Sequence, residues 1–450
     1  MLFVSVQSLE FLSAVPKDVD GIELRLDLSS RIDFGLLRQG LKTSSKPVMF
    51  TLRSVQHGGR YSHDRETLLS ELLELKPPFL DVEYDVSSGF LDRAFQQSET
   101  QIVLSAHNVS DLESVYQQMS CYPAFTYKLA VPVTSTIEAL QLLLFAKTHP
   151  HTSIIPMGEH GSFARVLGPV FGNQLNFASI SSSQTVAPGQ LSAQELLEIY
   201  RFHTLNPETA IYGLIGSPVS QSVGHVYHNR CFSEQVRNAV YVKMHLLPDE
   251  LPAFFPLAKN LGIHGLSVTM PLKEAVIPYV QNEYPVPSVN TLYLQDGQYF
   301  GTNTDGPAAV AVLEKRGSVA GKTIVILGAG GAARAMTFAL QERGAKVVVL
   351  NRTPEKARPL SPYFGTLSDV PSSYHAVIQC TPHPMPVDPK HLLPKALAMD
   401  IVYFPRETEF LQAASAAGCE LIYGDEFFAA QAAMQSALWK SNFVPQPLVL

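Results

Sequence analysis

The sequence predicts an α/β chain, with an N-terminal (β/α)8 barrel followed by a two-domain half that ends in a Rossmann-type nucleotide unit. Three observations predict it. Eight short apolar segments alternate with helix-like stretches before residue 206. Polar and charged residues recur at the C-terminal ends of those segments, where such barrels place their chemistry. Far downstream, the apolar run Thr323–Leu327 leads directly into a glycine loop, a helix and a second apolar run.

The barrel elements follow in order. Strands are expected at Leu2–Val6, Gly21–Leu26, Pro47–Leu52, Phe79–Glu83, Gln101–Ala106, Thr126–Ala130, Thr152–Pro156 and Leu175–Ile180, with amphipathic helices such as Arg65–Leu75 and Thr136–Thr148 between them. Glu23 and Arg25 lie two apart, so both point to one face of the second strand. Arg53 ends the third strand, Glu83 the fourth, and His107 follows the fifth. Lys128 sits within the sixth, Arg165 comes after the seventh and Gln190 after the eighth. Charges inside apolar strands are costly without partners or a ligand. A lysine desolvated between apolar neighbours and close to other cations has a lowered pKa and becomes a carbonyl nucleophile, which makes Lys128 the sharpest candidate. His107, one strand over, is placed to shuttle a proton.

The bulk properties bound the partners. A chain of 450 residues with 46% apolar and 16% charged residues fits a multidomain globular enzyme. The net charge of −7 and the lack of a dense basic run argue against nucleic acid and anionic membrane, leaving small anionic metabolites. No apolar run approaches membrane-spanning length. The N-terminus alternates like a strand and does not read as a signal peptide, so a cytoplasmic enzyme is expected. Cys121, Cys231, Cys380 and Cys419 lack metal-ligand spacing and are expected as buried thiols in a reducing compartment.

The first half resembles the type I 3-dehydroquinate dehydratases. The matching pieces are Glu23-Leu24-Arg25-Leu26-Asp27, Thr51-Leu52-Arg53 with Gly58-Gly59, Ser105-Ala106-His107, the Lys128 segment, Gly158, Gly161 and Arg165, and Ala187-Pro188-Gly189-Gln190. The resemblance implies that Lys128 forms an imine with the C3 ketone of 3-dehydroquinate and that His107 serves as acid and base. It implies Arg165 and Gln190 on the carboxylate side, Glu23, Arg25 and Arg53 on ring hydroxyls, and Ser5 as a weaker contact. His57 stands where that family has a glutamate beside the catalytic histidine, and Ala164 and Val186 stand where it has serines. Loss of the acid should lower the pKa of His107, and a second imidazole bears on its tautomer.

Asn206-Pro207 marks the expected boundary to the second half. Its loop Gly328-Ala329-Gly330-Gly331-Ala332-Ala333, with a helix expected at Ala333–Arg343 and a strand at Lys346–Leu350, reads as a dinucleotide site. The second strand ends in Asn351-Arg352-Thr353, followed by Lys356, with no acid for a ribose hydroxyl. A guanidinium there pairs with a 2′-phosphate, which favours NADP over NAD.

Upstream, Thr269 and Lys273, Asn290, and Asp305 lie on loops after apolar segments. With Ser222, Tyr403, Gly424 and Gln431 they resemble shikimate dehydrogenase from about Ile211 to Trp439. The resemblance implies NADPH-dependent reduction of 3-dehydroshikimate to shikimate. In it Lys273 and Asp305 handle the reacting hydroxyl, while Ser222, Thr269, Asn290, Tyr403 and Gln431 bind substrate and Gly424 lies with the cofactor residues. Gln221, Gly224 and Ser267 depart from the family's histidine, serine and asparagine. The space at Gly224 also admits a bulkier ring such as quinate, and the barrel substitutions leave open a non-catalytic scaffold. The expected domains are a 1–205 barrel, a 206–305 substrate domain completed by a helix over 426–450, and a 306–425 nucleotide domain. No metal is implied, since an imine and a hydride carrier cover both reactions; the oligomeric state is left open.

Overall fold

The computed structural model describes residues 1–441 apart from Ser30, Ser98 and Ser182. The chain forms two compact units. The first comprises Met1–Ile211 with Phe232–Leu246 and Ala253–Gly262, and the second comprises Tyr212–Cys231, Leu247–Pro252 and the chain from Ile263 onward.

In the first unit the strands are β1 (Leu2–Val6), β2 (Gly21–Arg25), β3 (Val48–Thr51), β4 (Phe79–Glu83), β5 (Gln101–His107), β6 (Thr126–Pro132), β7 (Thr152–Met157) and β8 (Asn176–Ser179). They form one parallel sheet in the order β7-β6-β5-β4-β3-β2-β1-β8. Side chains bridge the seam between its two end strands. The Asn173 amide bonds both the N–H and the C=O of Ile154, at 3.0 and 2.8 Å, and Ser153 Oγ accepts from Leu175 N at 3.0 Å. The period-two alternation of the strands stacks two layers inside. Phe3, Met49, Phe79, Val103, Leu175 and Phe177 make an apolar layer toward the strand N-termini. Two residues further along, Ser5, Thr51, Asp81, Ser105 and Ser179 are buried and polar.

The strands match the sequence reading to within two residues at their ends. His107 is the last residue of β5 rather than the first beyond it, and β6 runs two residues past Ala130. The helix expected at Arg65–Leu75 stops at Leu73, while Thr136–Thr148 forms as expected. The strand β10 (Ala239–His245) belongs to this unit together with Ala253–Gly262, held to the barrel helices by Thr136 Oγ1 to His245 O and by Lys147 Nζ to Asn260 O at 3.0 Å.

The second unit holds two sheets. The first takes β9 (Ala210–Gly216), β11 (Ile263–Val268), β13 (Thr291–Gln295), β14 (Gln298–Thr302) and β12 (Gln281–Asn282), in that order. The second is parallel throughout, with the order β17-β16-β15-β18-β19-β20, where β15 is Thr323–Leu327, β16 Lys346–Leu350, β17 Tyr363–Gly365, β18 Ala376–Gln379, β19 Leu397–Asp400 and β20 Glu420–Ile422. The unbroken apolar run of β15 has a simple cause. Ile324 and Ile326 face a core shared with helices Asp305–Glu314 and Gly331–Glu342, while Val325 and Leu327 face a second core with helix Glu409–Ala416. At about 25 cal/mol per Å² of buried apolar surface, each such side chain contributes about 1.5–3 kcal/mol.

Two expectations are corrected. The glycine-loop helix begins at Gly331, two residues earlier than expected, because the last glycine already takes helical geometry. The cysteines are free, yet Cys121 is exposed and the other three are half-buried. Cys121 falls in the turn after helix Leu112–Met119, with its Sγ 3.4 Å from Gln117 O. The final helix runs Gly424–Ser441, and the expected helical residues 442–450 lie outside the described residues. Among the described residues no helix is long and apolar enough to cross a membrane.

Candidate active sites

The barrel opens at its C-terminal end into a cavity of about 380 Å³. Ser5, Glu23, Arg25, Arg53, His107, Lys128, Arg165 and Gln190 all line it, while Glu83, also singled out from sequence, bonds Arg53 and Arg65 and is not part of the lining. Parallel registry explains the convergence, since Ser5 pairs with Glu23, Glu83 with Ser105, and Ser105 with Lys128 across neighbouring strands.

At the centre, Lys128 Nζ lies 3.0 Å from Asp81 Oδ2, 3.2 Å from Glu23 Oε1 and 3.9 Å from the centroid of the Phe177 ring. The expectation of a lysine crowded by cations is therefore corrected. The groups in contact with its nitrogen are two carboxylates and an aromatic face, because Asp81 shares the inward side of β4 with Glu83. Asp81 also takes Arg53 at 2.8 Å and Ser105 Oγ at 2.6 Å, and Arg53 reaches on to Glu83 at 3.1 Å. Burial opposes the charge on Asp81, but Arg53 and Lys128 outweigh it and hold the carboxyl far below its ordinary range. Glu23 behaves alike, opposed by burial and held down by Lys128 and Arg25, with Ser5 Oγ donating to it at 2.5 Å. Stripping one partner from a buried pair costs about 3–5 kcal/mol, so this network stands or falls as a set.

Three further side chains frame the cavity. Arg25 forks onto Asp27 at 2.8 and 2.9 Å. Arg165, buried in helix Ser162–Leu167, bonds only carbonyls among the described residues, Pro156 O at 3.0 Å and Pro188 O at 3.1 Å. Burial without a carboxylate brings its guanidinium down to about 10, which leaves a cation suited to an incoming anion. Gln190 is anchored by accepting from Val186 N at 3.0 Å and reaches Ser5 Oγ at 3.4 Å.

His107 meets its expected environment. Burial first, then the cations Arg53, Lys128 and Arg25, push its imidazole well below the usual histidine range, and its Nδ1 has no partner among the described residues. His57 lies beside it, with ring centroids 5.8 Å apart. Asp81, Asp85 and Arg65 escaped the sequence reading. The Asp81 signal was present in Phe79-Leu80-Asp81-Val82-Glu83, where the alternation puts two acids on the inward face; Asp85 and Arg65 arrive from a loop and a helix, where no periodicity reveals them.

In the second unit Lys273 Nζ meets Asp305 Oδ2 at 2.5 Å. Asp305 begins helix Asp305–Glu314 and accepts from Asn290 Nδ2 at 2.8 Å, while its own N–H bonds Asn303 Oδ1 at 2.8 Å. Asn290 also bonds Thr304, and Thr304 Oγ1 lies 3.5 Å from Gln431 Oε1. Lys273, Asn290, Asp305 and Gln431 thus form one network. Ser222, Thr269 and Tyr403 lie outside it: Ser222 Oγ accepts from Gly224 N at 3.2 Å, Thr269 N bonds Ile215 O at 3.0 Å, and the Tyr403 ring packs 5.2 Å from that of Phe428. Gln435 and Ser288 are additions. Gln435 joins Ser267 at 2.9 Å to Asn290 O at 3.1 Å, so the Ser267 hydroxyl is engaged within the protein.

The glycine loop leaves β15 at the point where sheet order reverses, the usual crevice of a doubly wound fold. Gly328 has φ +116°, which a side chain resists, and a Cβ on Gly330 would meet open space. A Cβ on Gly331 would fall 3.2 Å from Lys273 Cβ, so the loop runs against the Lys273 side chain. The first-turn N–H groups from Gly331, Ala332 and Ala333 follow, and Ala329 is buried beneath them. Beyond β16, Asn351 is tied by its Nδ2 to Thr353 O at 2.9 Å, while Arg352 and Lys356 are exposed. Gly424 opens the last helix, where any Cβ would come 2.1 Å from Val402 O.

Comparison with known proteins agrees with both halves. The type I 3-dehydroquinase family profile matches residues 6–207. The shikimate dehydrogenase substrate binding domain matches 214–289, and the shikimate / quinate 5-dehydrogenase profile matches 311–400. The shikimate biosynthesis protein AroDE of Chlamydia pneumoniae is 34% identical over 443 residues, covering 95% of this chain and 91% of that protein. The bifunctional 3-dehydroquinate dehydratase/shikimate dehydrogenase of Arabidopsis thaliana is 31% identical, covering 95% and 79%. The chain belongs to the bifunctional 3-dehydroquinate dehydratase/shikimate dehydrogenase family. Its two activities are accordingly those of a dehydroquinate dehydratase and a shikimate dehydrogenase in the shikimate pathway. A solved shikimate dehydrogenase in complex with NADP+ is 33% identical with a TM-score of 0.50, covering 53% of this chain and 92% of that one. The shikimate dehydrogenase of Aquifex aeolicus has 30% identity and a TM-score of 0.50, covering 54% and 96%.

Proposed function

We propose that the barrel dehydrates 3-dehydroquinate through a Lys128 imine and that the second half reduces the product with NADPH. The observation that carries the first part is the enclosure in one cavity of Lys128, His107 and Arg165, a cation with no carboxylate partner among the described residues. Arg165 and Gln190 hold the substrate carboxylate, while Glu23, Arg25, Arg53 and Ser5 face ring hydroxyls. Lys128 Nζ adds to the C3 ketone, and loss of water leaves a protonated imine that draws electrons from C2. His107, kept neutral by its surroundings, removes a C2 proton. The resulting enamine expels the C1 hydroxyl, His107 returns its proton to that oxygen, and hydrolysis of the imine frees 3-dehydroshikimate and Lys128. The net change is loss of one water.

For the second reaction, the open approach at Gly330, the first-turn N–H groups of a helix with no side-chain N-cap among the described residues, and the exposed Arg352 and Lys356 fit a dinucleotide carrying a 2′-phosphate. Bound NADPH supplies a hydride. The glycines and Ala329 and Ala332 would line its pyrophosphate, Asn351, Arg352, Thr353 and Lys356 its adenosine phosphate, and Gly424 its far side. Lys273 and Asp305 hold the reacting oxygen and move its proton. Ser222, Thr269, Asn290, Tyr403 and Gln431 seat the ring. The proposed division is 1–205 for dehydration, 206–305 with the helix from 426 for shikimate, and 306–425 for NADP.

A coupled assay tests the reading. From 3-dehydroquinate and NADPH the full chain should form shikimate with one NADPH consumed per turnover. Accumulation of 3-dehydroshikimate with untouched NADPH, or faster oxidation of quinate than of shikimate, would contradict the second half.

A further inference from the structure

Three side chains that the reaction above does not use form a line ending on His107. Arg65 bonds Asp85 Oδ1 at 2.7 Å, Asp85 Oδ1 lies 3.2 Å from His57 Nε2, and His57 Nδ1 accepts the backbone N–H of His107 at 3.1 Å. The last bond fixes the chemistry of the middle one. A nitrogen that accepts carries no proton, so the His57 proton sits on Nε2 and points at Asp85. Tyr84 closes the other edge of the His57 ring, with centroids 6.0 Å apart and planes at 82°. The His57 and His107 rings meet edge to face at 84°.

The charged groups around His57 are Asp85 and Glu83 from β4 and its loop, Arg65 from the helix that precedes β4, Arg53 from the end of β3, and His107 from β5. Asp85 is one-third exposed, and what burial it has opposes its charge; His57 and Arg65 nevertheless bring it down to about 2. His57, Glu83 and Asp85 also bring ligand atoms within 4.8 Å of one another, the spacing of a metal site. Arg65, however, bonds both carboxylates, and its guanidinium charge already neutralises them and repels a metal cation.

Resting on the reading of His107 as the acid and base, we propose that Asp85 and His57 are positioning residues of the dehydratase. Asp85 selects the His57 tautomer, and His57 in that tautomer holds the end of β5 and the attitude of the His107 imidazole. With the proton on Nδ1 instead, His57 would turn a donor toward the His107 N–H and the bond would be lost. A misplacement of about 1 Å costs on the order of 10²-fold in rate, which sets the scale of the effect.

The test is a double-mutant cycle on the full chain, with shikimate oxidation measured alongside as the index of fold. Asp85→Ala should lower kcat for dehydration roughly 10–100-fold with little change in KM, and Asp85→Glu should recover most of it. Nitrogen-15 NMR of labelled histidines should show His57 as a single Nε2–H tautomer in the parent and as a mixture in Asp85→Ala. His57→Gln offers a carbonyl acceptor that has no tautomer to select. In that background Asp85→Ala should cost nothing further. An equal loss from Asp85→Ala in both backgrounds, or an unchanged His57 tautomer, overturns the proposal. Should Asp85→Ala lose its fold, Asp85→Asn in the same two backgrounds gives the same comparison. His57→Gln and His107→Ala separate this idea from the reading beneath it: full dehydratase activity in His107→Ala removes the acid–base reading whatever the cycle shows.

Discussion

The barrel site and the dehydrogenase site solve opposite problems. In the barrel, Lys128, Arg53, Asp81, Glu23 and Glu83 are all buried and bonded to one another, so most of the machinery is held by the protein itself. In the dehydrogenase half the core is one pair, Lys273 and Asp305, oriented by Asn290 and Asn303, beside a glycine loop with open space over Gly330. The difference follows from chemistry. A covalent nucleophile has to be generated from side chains, which takes many charges in a dry place. A hydride site takes its electrons from a cofactor and needs only orientation and a proton path.

The sharpest break between the two is Lys128→Ala. Dehydration should fall to background while shikimate oxidation stays within about twofold, because the residue's contacts lie entirely in the first unit; parallel loss in a folded protein would sink the separation. The converse, Lys273→Ala, should lower shikimate oxidation by on the order of 10²–10⁴ while dehydration persists, as read by steady-state rates on each substrate. Arg165→Ala removes a charged hydrogen-bond donor to the substrate. It should raise KM for 3-dehydroquinate by an amount worth about 1.5–3 kcal/mol, and an unchanged KM would detach Arg165 from the carboxylate.

These predictions depend on features that differ in how visible they are in sequence. The barrel was legible because every strand alternates, so an inward polar residue announces itself two positions beyond an apolar one, as Ser105 does after Val103. The cation environment expected for Lys128 was misread for the same reason: strand ends show which charges converge, but the pairing of Asp81 with both Arg53 and Lys128 depends on register across β3, β4 and β6. In the second half Thr323–Leu327 and its glycine loop were plain, since a strand covered on both faces reads as continuous apolar sequence. Gln435 was not, because the exposed stripe of its helix is largely alanine (Ala429, Ala433 and Ala437), so no polar face sets the buried one apart. Asp85 beside His57 joins a loop to a turn, and such pairs carry no periodic signature.

Smaller effects refine the comparison. Arg352→Ala should raise KM for NADP several-fold more than KM for NAD, and parallel changes would remove its phosphate role. For the barrel, the depressed pKa of His107 keeps the base unprotonated as pH falls below 6.5. The acid limb of kcat/KM for dehydration should therefore lie on the acidic side of 6.5, and a limb above it would conflict with a buried, cation-flanked imidazole.

The central claim is that the barrel makes its own nucleophile. Borohydride added to the full chain with 3-dehydroquinate should reduce the imine and fix the carbon skeleton to the peptide bearing Lys128, while shikimate oxidation survives. Unlabelled Lys128, under conditions where the substrate is bound and turned over, would contradict it.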